Sequence, residues 1–241
     1  SGWDSVDPTC RMGWLYDPSG SRQHLNDDRM GRKCAQKLFP GCSSRIIIDP
    51  DTFLVLPKHI EQDKLLNANI GSTKKGVGPA YADKVLRTGT KVRDFLKDNS
   101  EITQELQAMG VKFKYVLEMY DEFKSSKILF EGAQGVMLDL NVGTYPYVSC
   151  GDSTLSGIYS SGFGFVAPEK VYGVAKVYST KVGAGPFPTE YFGEEAEALR
   201  ALGNEYGAVT GRPRRVGALD LPALRYAKKR SGLTHLIITK F

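Results

Sequence analysis

The segment 71–78 has the composition of a phosphate-binding loop. It contains three glycines, two hydroxyl side chains and two lysines. Glycines let backbone N–H groups approach an anion, hydroxyls donate hydrogen bonds to it, and lysines neutralise its charge. The segment does not match the P-loop pattern G-x4-G-K-[ST]. A solvated basic loop would have the same composition, so both interpretations stay open at this point.

A second candidate site follows the apolar run Ile128–Phe130, which predicts a buried strand. The next residues are Glu131-Gly132-Ala133-Gln134-Gly135, a tight turn in which the amide can both donate and accept hydrogen bonds. Ligands of open α/β sheets bind at the carboxyl ends of strands. The chain then continues through a predicted turn at 143–146 into the polar patch 149–154. A plain strand, loop and strand is the alternative.

A third candidate site is the basic loop 207–217. It holds three arginines within four residues, flanked by Thr210 and glycines: Arg212, Arg214 and Arg215. A guanidinium can hold a carboxylate or a phosphate through two parallel hydrogen bonds, so this loop suits an anionic ligand. An exposed basic loop without a ligand is the other interpretation.

The elements that would position these loops alternate along the chain between strands and helices, which favours an α/β fold. The pattern predicts strands at 45–49, 171–178 and 234–239, and loops at 157–164 and 179–190. It predicts helices that begin at Pro57 and Pro79, that run over 194–202 and 219–229, and that fill 91–126 with breaks at 99–101 and 110. We interpret His59 as a half-buried helix residue rather than a catalytic one.

Length and composition are those of an ordinary globular protein. The chain has 241 residues, with 41% hydrophobic and 24% charged side chains, which suits one large domain or two small ones. The formal net charge is +5 without a long basic run, so nucleic acid is not an expected partner. No apolar stretch approaches about 18 residues, so no membrane span is expected. The first residues lack the layout of a signal peptide.

The four cysteines are too few for a disulfide framework, which favours a reducing compartment. Zinc ligands are conceivable in the N-terminal region, but the paired C-x2-C spacing of zinc sites is missing. The residues concerned are Cys10, His24, Cys34 and Cys42. Residues 1–43 are rich in Asp, Ser, Gly and Arg, and we predict a loop-rich segment without an assigned role. Residues 44–241 are predicted to form the ordered domain.

From about Ser44 to Lys240 the sequence resembles the adenylosuccinate synthetase family. Four motifs carry the resemblance, in order along the chain: GSTKKGVGPAYADKVLR, LFEGAQGVMLDLNVGTYPYVS, YSTKVGAGPFPTE and TGRPRRVGALDLPALRYA. The resemblance implies an α/β fold related to P-loop NTPases, with a mainly parallel sheet flanked by helices. It implies a cytoplasmic, homodimeric C–N ligase that joins IMP and L-aspartate in AMP biosynthesis, using GTP and Mg²⁺.

The resemblance also assigns roles to residues of this chain. It places Thr73, Arg87, Gln134 and Ser149 at IMP, where Arg87 reaches the phosphate bound by a second subunit and Gln134 lies at the reacting oxygen as the catalytic residue. It places Thr210 and Arg212 at aspartate. It places Arg214 and Lys240 at GTP, and no metal ligand of the family has a counterpart in this sequence.

Several features of the family are absent from this sequence. They are the N-terminal G-D-E-G-K-G loop, the N-A-G-H-T motif and the Asp that reads guanine. The family's T-S-S-N is here Ser149-Cys150-Gly151-Asp152, and its G-W-x-D is Gly217-Ala218-Leu219-Asp220. We therefore expect a central portion of a synthetase that is inactive by itself. Two alternatives are a non-catalytic purine-nucleotide-binding or dimerisation relative, and a phage-type synthetase acting on a guanine nucleotide.

Overall fold

The computed structural model describes residues 47–66, 74–108, 110–125, 128–207 and 211–241. Helices and short strands are mixed along this part of the chain, which confirms the α/β prediction. The strands are β1 (Ile47–Ile48), β2 (Lys112–Phe113), β3 (Tyr172–Lys176), β4 (Ser179–Lys181), β5 (Arg215–Gly217) and β6 (His235–Thr239). β1 pairs with β2 and β3 with β6, both parallel, whereas β4 and β5 are antiparallel.

The helices of the described residues are short, with between five and eleven residues each. They are α1 (Pro57–Leu66), α2 (Val77–Leu86), α3 (Val92–Asp98), α4 (Ser100–Ala108), α5 (Tyr120–Ser125), α6 (Ser156–Ser160), α7 (Gly193–Gly203) and α8 (Leu221–Ser231). Two 3₁₀ turns lie at Val116–Met119 and Val136–Leu138. No helix within the described ranges is long and apolar enough to cross a membrane.

Strand β1 lies between two apolar clusters, because successive side chains of a strand point to opposite faces. Ile47 packs with one cluster: Val116, Met119, Phe123, Ile158 and Phe163. Ile48 packs with the other, formed by Val92, Leu106 and Val111. The described part of the strand predicted at 45–49 is therefore a strand buried on both faces, as its composition predicts. Residues 45 and 46 lie outside the described residues.

Helix α1 packs against α2 through two buried polar residues. Pro57 opens α1, as predicted. His59 is 1% exposed, so the prediction of a half-buried side chain was wrong. Its Nδ1 accepts from the backbone N–H of Leu56 at 2.9 Å, and its Nε2 lies 3.1 Å from Oδ2 of Asp83 on α2. Asp63 is 3% exposed and accepts from the backbone N–H of Gly76. Gly76 is the N-cap residue of α2 and has a φ of 80°. Each of these two buried side chains of α1 is thus hydrogen-bonded to α2 or to its N-cap residue.

Residues 91–126 are helical only in part. The predicted breaks are present, since α3 ends before Asn99 and a strand follows the break at Gly110. Lys112 and Phe113 form β2 because they pair with β1, a long-range contact that helical periodicity does not reveal.

Three other expectations were wrong. Ile128–Phe130 does not form a strand: Ile128 and Phe130 pack on the Phe163 cluster, and Leu129 is 70% exposed. The loop predicted at 157–164 contains α6, which buries Ile158. The loop predicted from Ser179 begins with β4, since cross-strand hydrogen bonding to β5 overrides the local composition.

Replacement of His59 tests the α1–α2 packing. His59→Ala removes a buried ring, leaves the Leu56 N–H without its acceptor and leaves Asp83 with Lys58 as its remaining side-chain partner, so we expect a loss of about 2–4 kcal/mol in the free energy of unfolding. Urea denaturation followed by circular dichroism measures it. His235→Ala, at an exposed position of β6, is the control and should change stability by less than about 0.5 kcal/mol. Equal effects of the two variants would contradict the packing described here.

Candidate functional site

Gln134 and Ser149, fifteen residues apart, meet in the structure. Nε2 of Gln134 donates to Oγ of Ser149 at 2.9 Å, and both side chains are half-buried. Gln134 has a φ of 64°, a left-handed conformation that is uncommon for a residue other than glycine. Such backbone strain is typical of sites whose surroundings fix one conformation. The amide predicted to touch a purine base is therefore held by the hydroxyl predicted to bind its phosphate.

The buried carboxylate of Asp139 organises the segment between these two residues. It is 1% exposed and accepts from the backbone N–H groups of Asn141, Val142 and Ser153 at 2.9, 3.2 and 2.5 Å. The N–H of Ser149 donates to the carbonyl of Leu138 at 2.7 Å. Sequence reasoning passed over Asp139. Its signal was available, since an aspartate two residues before a backbone turn is typical of an Asx turn.

Helix α8 holds the same segment from outside. The hydroxyl of Tyr226 on α8 donates to the carbonyl of Val142 at 2.7 Å. Asp220 caps α8 by accepting from the N–H of Ala223 at 2.9 Å. The motif that begins at Thr210 is thereby connected to the motif that contains Gln134.

Arg87, another residue predicted to contact IMP, lies at the exposed C-terminal end of α2. It caps the helix with a φ of 66°, and its N–H donates to the carbonyls of Asp83 and Lys84. The side chain of Asp83 is held by Nζ of Lys58 at 2.7 Å and by His59, and these hydrogen bonds, Lys58 first, lower the pKa of Asp83. The α1–α2 packing thus fixes Asp83, whose carbonyl in turn accepts from the backbone N–H of Arg87. Thr73 lies outside the described residues.

Arg214 belongs to a cluster built around the buried carboxylate of Glu205. The Glu205 side chain is 1% exposed and accepts from Nζ of Lys176 at 2.7 Å, from NH1 of Arg214 at 2.8 Å and from the hydroxyl of Tyr178 at 2.5 Å. Burial by itself raises the pKa of Glu205, but these three hydrogen bonds outweigh it and lower the pKa from 4.5 to about 2. Burial, together with the neighbouring carboxylate, raises the pKa of Tyr178 to about 12.

Lys240 reaches the same region from the end of β6. Its Nζ donates to the carbonyl of Gly203 at 3.0 Å, two residues before Glu205. The two residues predicted at GTP are therefore both attached to the turn 203–205, which follows α7. Neither composition nor spacing singled out Glu205, and no local pattern marks it, because its side-chain partners come from two other segments, 176–178 and Arg214.

The arginine loop divides into two parts. Arg215 is not available for a ligand, since its Nε donates to Oε1 of Glu190 at 2.6 Å, its NH2 donates to Oε2, and its NH1 donates to the carbonyls of Gly183 and Gly185. Arg212 is exposed, and its carbonyl accepts from the N–H of Gly207 at 2.8 Å. Thr210, predicted beside it at aspartate, lies outside the described residues. The interpretation of all three arginines as ligand-binding was wrong for Arg215.

The described residues contain no preformed cluster of metal ligands. Among them, no group of three or more His, Cys, Asp or Glu side chains is placed to hold a metal ion. The buried carboxylates of Asp139 and Glu205 are saturated by hydrogen bonds from the protein. We therefore assign no metal site to this part of the chain. The N-terminal Cys and His residues considered for zinc lie outside it.

The low pKa of Glu205 predicts how stability depends on pH. A carboxylate whose pKa is lowered by folding contributes stability that is complete above its ordinary pKa of 4.5 and is lost as the pH falls toward about 2. The stability difference between the unsubstituted chain and Glu205→Gln should therefore shrink on acidification, by about 2 kcal/mol between pH 7 and pH 3. Urea denaturation from about pH 7 to about pH 3 measures it.

Glu197→Gln is the matched control for that experiment. Glu197 also pairs with an arginine, Arg200, but its side chain is 68% exposed, so removal of the pair should leave the pH dependence nearly unchanged. A stability difference for Glu205→Gln that is the same at all pH values would contradict the buried ion cluster.

Comparisons with known proteins agree with these motifs. The family model for adenylosuccinate synthetase matches residues 32–124 and 97–241. An adenylosuccinate synthetase of Petrotoga mobilis is 48% identical, over 84% of this chain and 57% of its own length. One of Thermotoga maritima is 40% identical, over 95% of this chain and 63% of its own length. The chain thus spans about three fifths of the length of these curated relatives.

Two solved structures share the fold. A fully ligated adenylosuccinate synthetase from Plasmodium falciparum has a TM-score of 0.77 at 25% identity, over 96% of this chain and 68% of that one. A succinoaminodeoxyadenylate synthetase of cyanophage S-2L, bound to dGMP and dATP, has a TM-score of 0.72 at 20% identity, over 97% of this chain and 75% of that one. Since the family model matches most of the sequence and the motifs meet in space, the chain belongs to the adenylosuccinate synthetase family.

Proposed function

We propose that this protein is a C–N ligase that joins IMP and L-aspartate, with GTP as the phosphoryl donor, in AMP biosynthesis. The observation that supports this most directly is the hydrogen bond between Gln134 and Ser149, which joins two residues of the family's IMP site. Membership of the family supplies the reaction, and the chain contributes the residues that bind IMP, aspartate and part of GTP. We further propose that residues 44–241 form the synthetase domain, that the protein acts in the cytoplasm, and that it works as a homodimer.

The reaction needs two steps. In the first, IMP loses the proton on N1 while its oxygen O6 attacks the terminal phosphorus of GTP, and the P–O bond to GDP breaks. In the second, the amine of aspartate attacks C6 and loses a proton, and phosphate leaves with the electrons of the C–O bond. A phosphorylated oxygen is a far better leaving group than hydroxide, which explains the use of a nucleotide. The metal that the family uses is not assigned to the described residues.

Gln134 is placed to orient the base. One N–H of its amide donates to Ser149, and an amide has a second N–H and a carbonyl oxygen with which to contact a purine. The left-handed backbone at Gln134 and the following segment, which the hydrogen bonds of Asp139 hold together, place that amide before the ligand binds. Positioning of this kind lowers the entropy that the substrate must lose on reaching a reactive orientation.

Arg87 and Arg212 provide cations for the anionic groups of the substrates. Both side chains are exposed, and a guanidinium binds phosphate or carboxylate through paired hydrogen bonds. Arg87 extends from the end of α2, where it can reach a phosphate bound by a second copy of the chain. Thr73 and Thr210 would add hydroxyl donors to the IMP and aspartate sites, and Arg214 and Lys240 would contact GTP.

The IMP site is tested by isothermal titration of the 241-residue chain with IMP. Arg87→Gln removes a charge-assisted contact to the phosphate, so we expect affinity to fall by about tenfold or more. Ser149→Ala removes the acceptor that holds Gln134 and should weaken IMP binding by about five- to tenfold.

Arg93→Gln is the matched control for Arg87→Gln. Arg93 is another surface arginine, paired with Asp51 at 2.7 Å, and its replacement should change affinity for IMP by less than about twofold. If Arg87→Gln binds IMP as tightly as Arg93→Gln does, Arg87 is not part of the phosphate site.

The choice of base is tested by competition between IMP and dGMP, the nucleotide bound by the phage synthetase of similar fold. Relatives 40–48% identical to the chain are adenylosuccinate synthetases, so we expect IMP to displace dGMP with an affinity about tenfold higher or more. A preference for dGMP would replace the proposed substrate with a guanine nucleotide. Failure of the chain to bind any purine nucleotide would reject the proposed function.

A further inference from the structure

We propose that Glu205 is a positioning residue for the guanine nucleotide, whose buried carboxylate fixes Arg214 and the turn that holds Lys240 in the orientation in which both contact GTP. This inference rests on the proposed function, because that function places Arg214 and Lys240 at GTP. Glu205 itself is buried beneath its partners and is not expected to touch the ligand.

The first argument is that Glu205 holds Arg214 twice. Its carboxylate accepts from NH1 of Arg214 at 2.8 Å, and its backbone carbonyl accepts from the N–H of Arg214 at 2.9 Å. Main chain and side chain of Arg214 are therefore both fixed to one residue. NH1 of Arg200 also lies 3.4 Å from the carbonyl of Arg214, so α7 supports the same position.

The second argument is the packing of the turn 203–205. A Cβ added to Gly203 would collide with the hydroxyl of Tyr178 and would lie 3.1 Å from Cγ of Glu205, so the turn fits directly against the cluster. Lys240 donates to the carbonyl of this same Gly203. A movement of the Glu205 side chain would therefore displace the anchor of Lys240 as well as that of Arg214.

The third argument is the charge that the cluster leaves for a ligand. Lys176 and Arg214 oppose one carboxylate, so the cluster keeps a net positive charge, and about a quarter of each cationic side chain remains exposed. The carboxylate thus lies beneath two partly exposed cations. This arrangement presents positive charge outward without the repulsion that two adjacent unpaired cations would suffer.

The neighbouring Arg215 forms an ion pair with Glu190 that serves structure alone. Glu190 takes both Nε and NH2 of Arg215, and backbone carbonyls take NH1, so all three nitrogens of that guanidinium are used within the protein. Glu205 engages Arg214 through the single terminal nitrogen NH1. The Arg215 pair therefore provides a matched control of the same chemistry one residue away.

The test compares Glu205→Gln with Glu190→Gln in the 241-residue chain, after circular dichroism has shown that both are folded. Each variant is titrated separately with a fluorescent N-methylanthraniloyl derivative of GTP and with IMP. We expect Glu205→Gln to weaken binding of the GTP derivative by about tenfold and to change IMP binding by less than about twofold. Glu190→Gln should change the affinity for either ligand by less than about twofold.

Tyr178→Phe keeps the experiment decisive if Glu205→Gln does not fold. It removes one of the three donors to the carboxylate with little change in packing, so we expect about a threefold loss of affinity for the GTP derivative alone. Unchanged GTP binding in the folded Glu205 variant, or an equal loss for both ligands, would overturn the inference.

The unsubstituted chain separates failure of this inference from failure of the proposed function. If it binds IMP but not the GTP derivative, the role of Glu205 at a nucleotide is overturned and the IMP site stands. If it binds neither ligand, the proposed function itself fails.

Discussion

A carboxylate that is withdrawn from water must be hydrogen-bonded, and this constraint determines how the loops of this protein are held. Asp63, Asp139 and Glu205 are each at most 3% exposed. Each accepts hydrogen bonds from residues distant in sequence, so each joins a loop to the rest of the fold. Removal of a partner would leave a buried charge uncompensated, which costs far more than the net stabilisation from one intact pair. These hydrogen bonds hold the loops in place, although the loops contain little regular structure.

The buried carboxylates also explain why the residues of the candidate site lie on irregular segments. The strands are two to five residues long, and each pairs with one other strand within the described residues. Helices and apolar clusters supply the burial, and the buried carboxylates supply the orientation. Gln134, Ser149, Arg214 and Lys240 are all held by hydrogen bonds that end on loop or turn atoms.

Much of the fold was predictable from the sequence, and the failures have physical causes. The helices at Pro57 and Gly193 and the strands at Ile47 and His235 follow from apolar periodicity and from Gly and Pro signals. β2, β4 and β5 escaped prediction because each depends on a partner strand distant in sequence. Ile128–Phe130 has a strand's composition, yet it is irregular in the structure, and Ile128 and Phe130 pack on the Phe163 cluster.

The candidate site shows the same limit. Motifs indicated Gln134, Ser149 and Arg214 as candidate ligand contacts, because amide, hydroxyl and guanidinium groups in glycine-rich loops suit anionic ligands. The supporting residues His59 and Glu205 carry no such pattern, since their importance arises from burial and from partners that only folding brings near. Asp139 does carry a local pattern, the spacing of an Asx turn. Arg215 illustrates the converse: it lies within a motif, yet Glu190 uses its guanidinium for structure.

The left-handed backbone at Gln134 narrows which amino acids can occupy that position. Glycine adopts a φ of 64° without strain, but it has no side-chain amide that could donate to Ser149. Asparagine tolerates this conformation better than most residues, but its amide is shorter by one C–C bond of about 1.5 Å and cannot span the same distance. Branched side chains fail both requirements. Glutamine makes the hydrogen bond at the cost of strain in its own backbone. Few substitutions at this position would therefore preserve the contact.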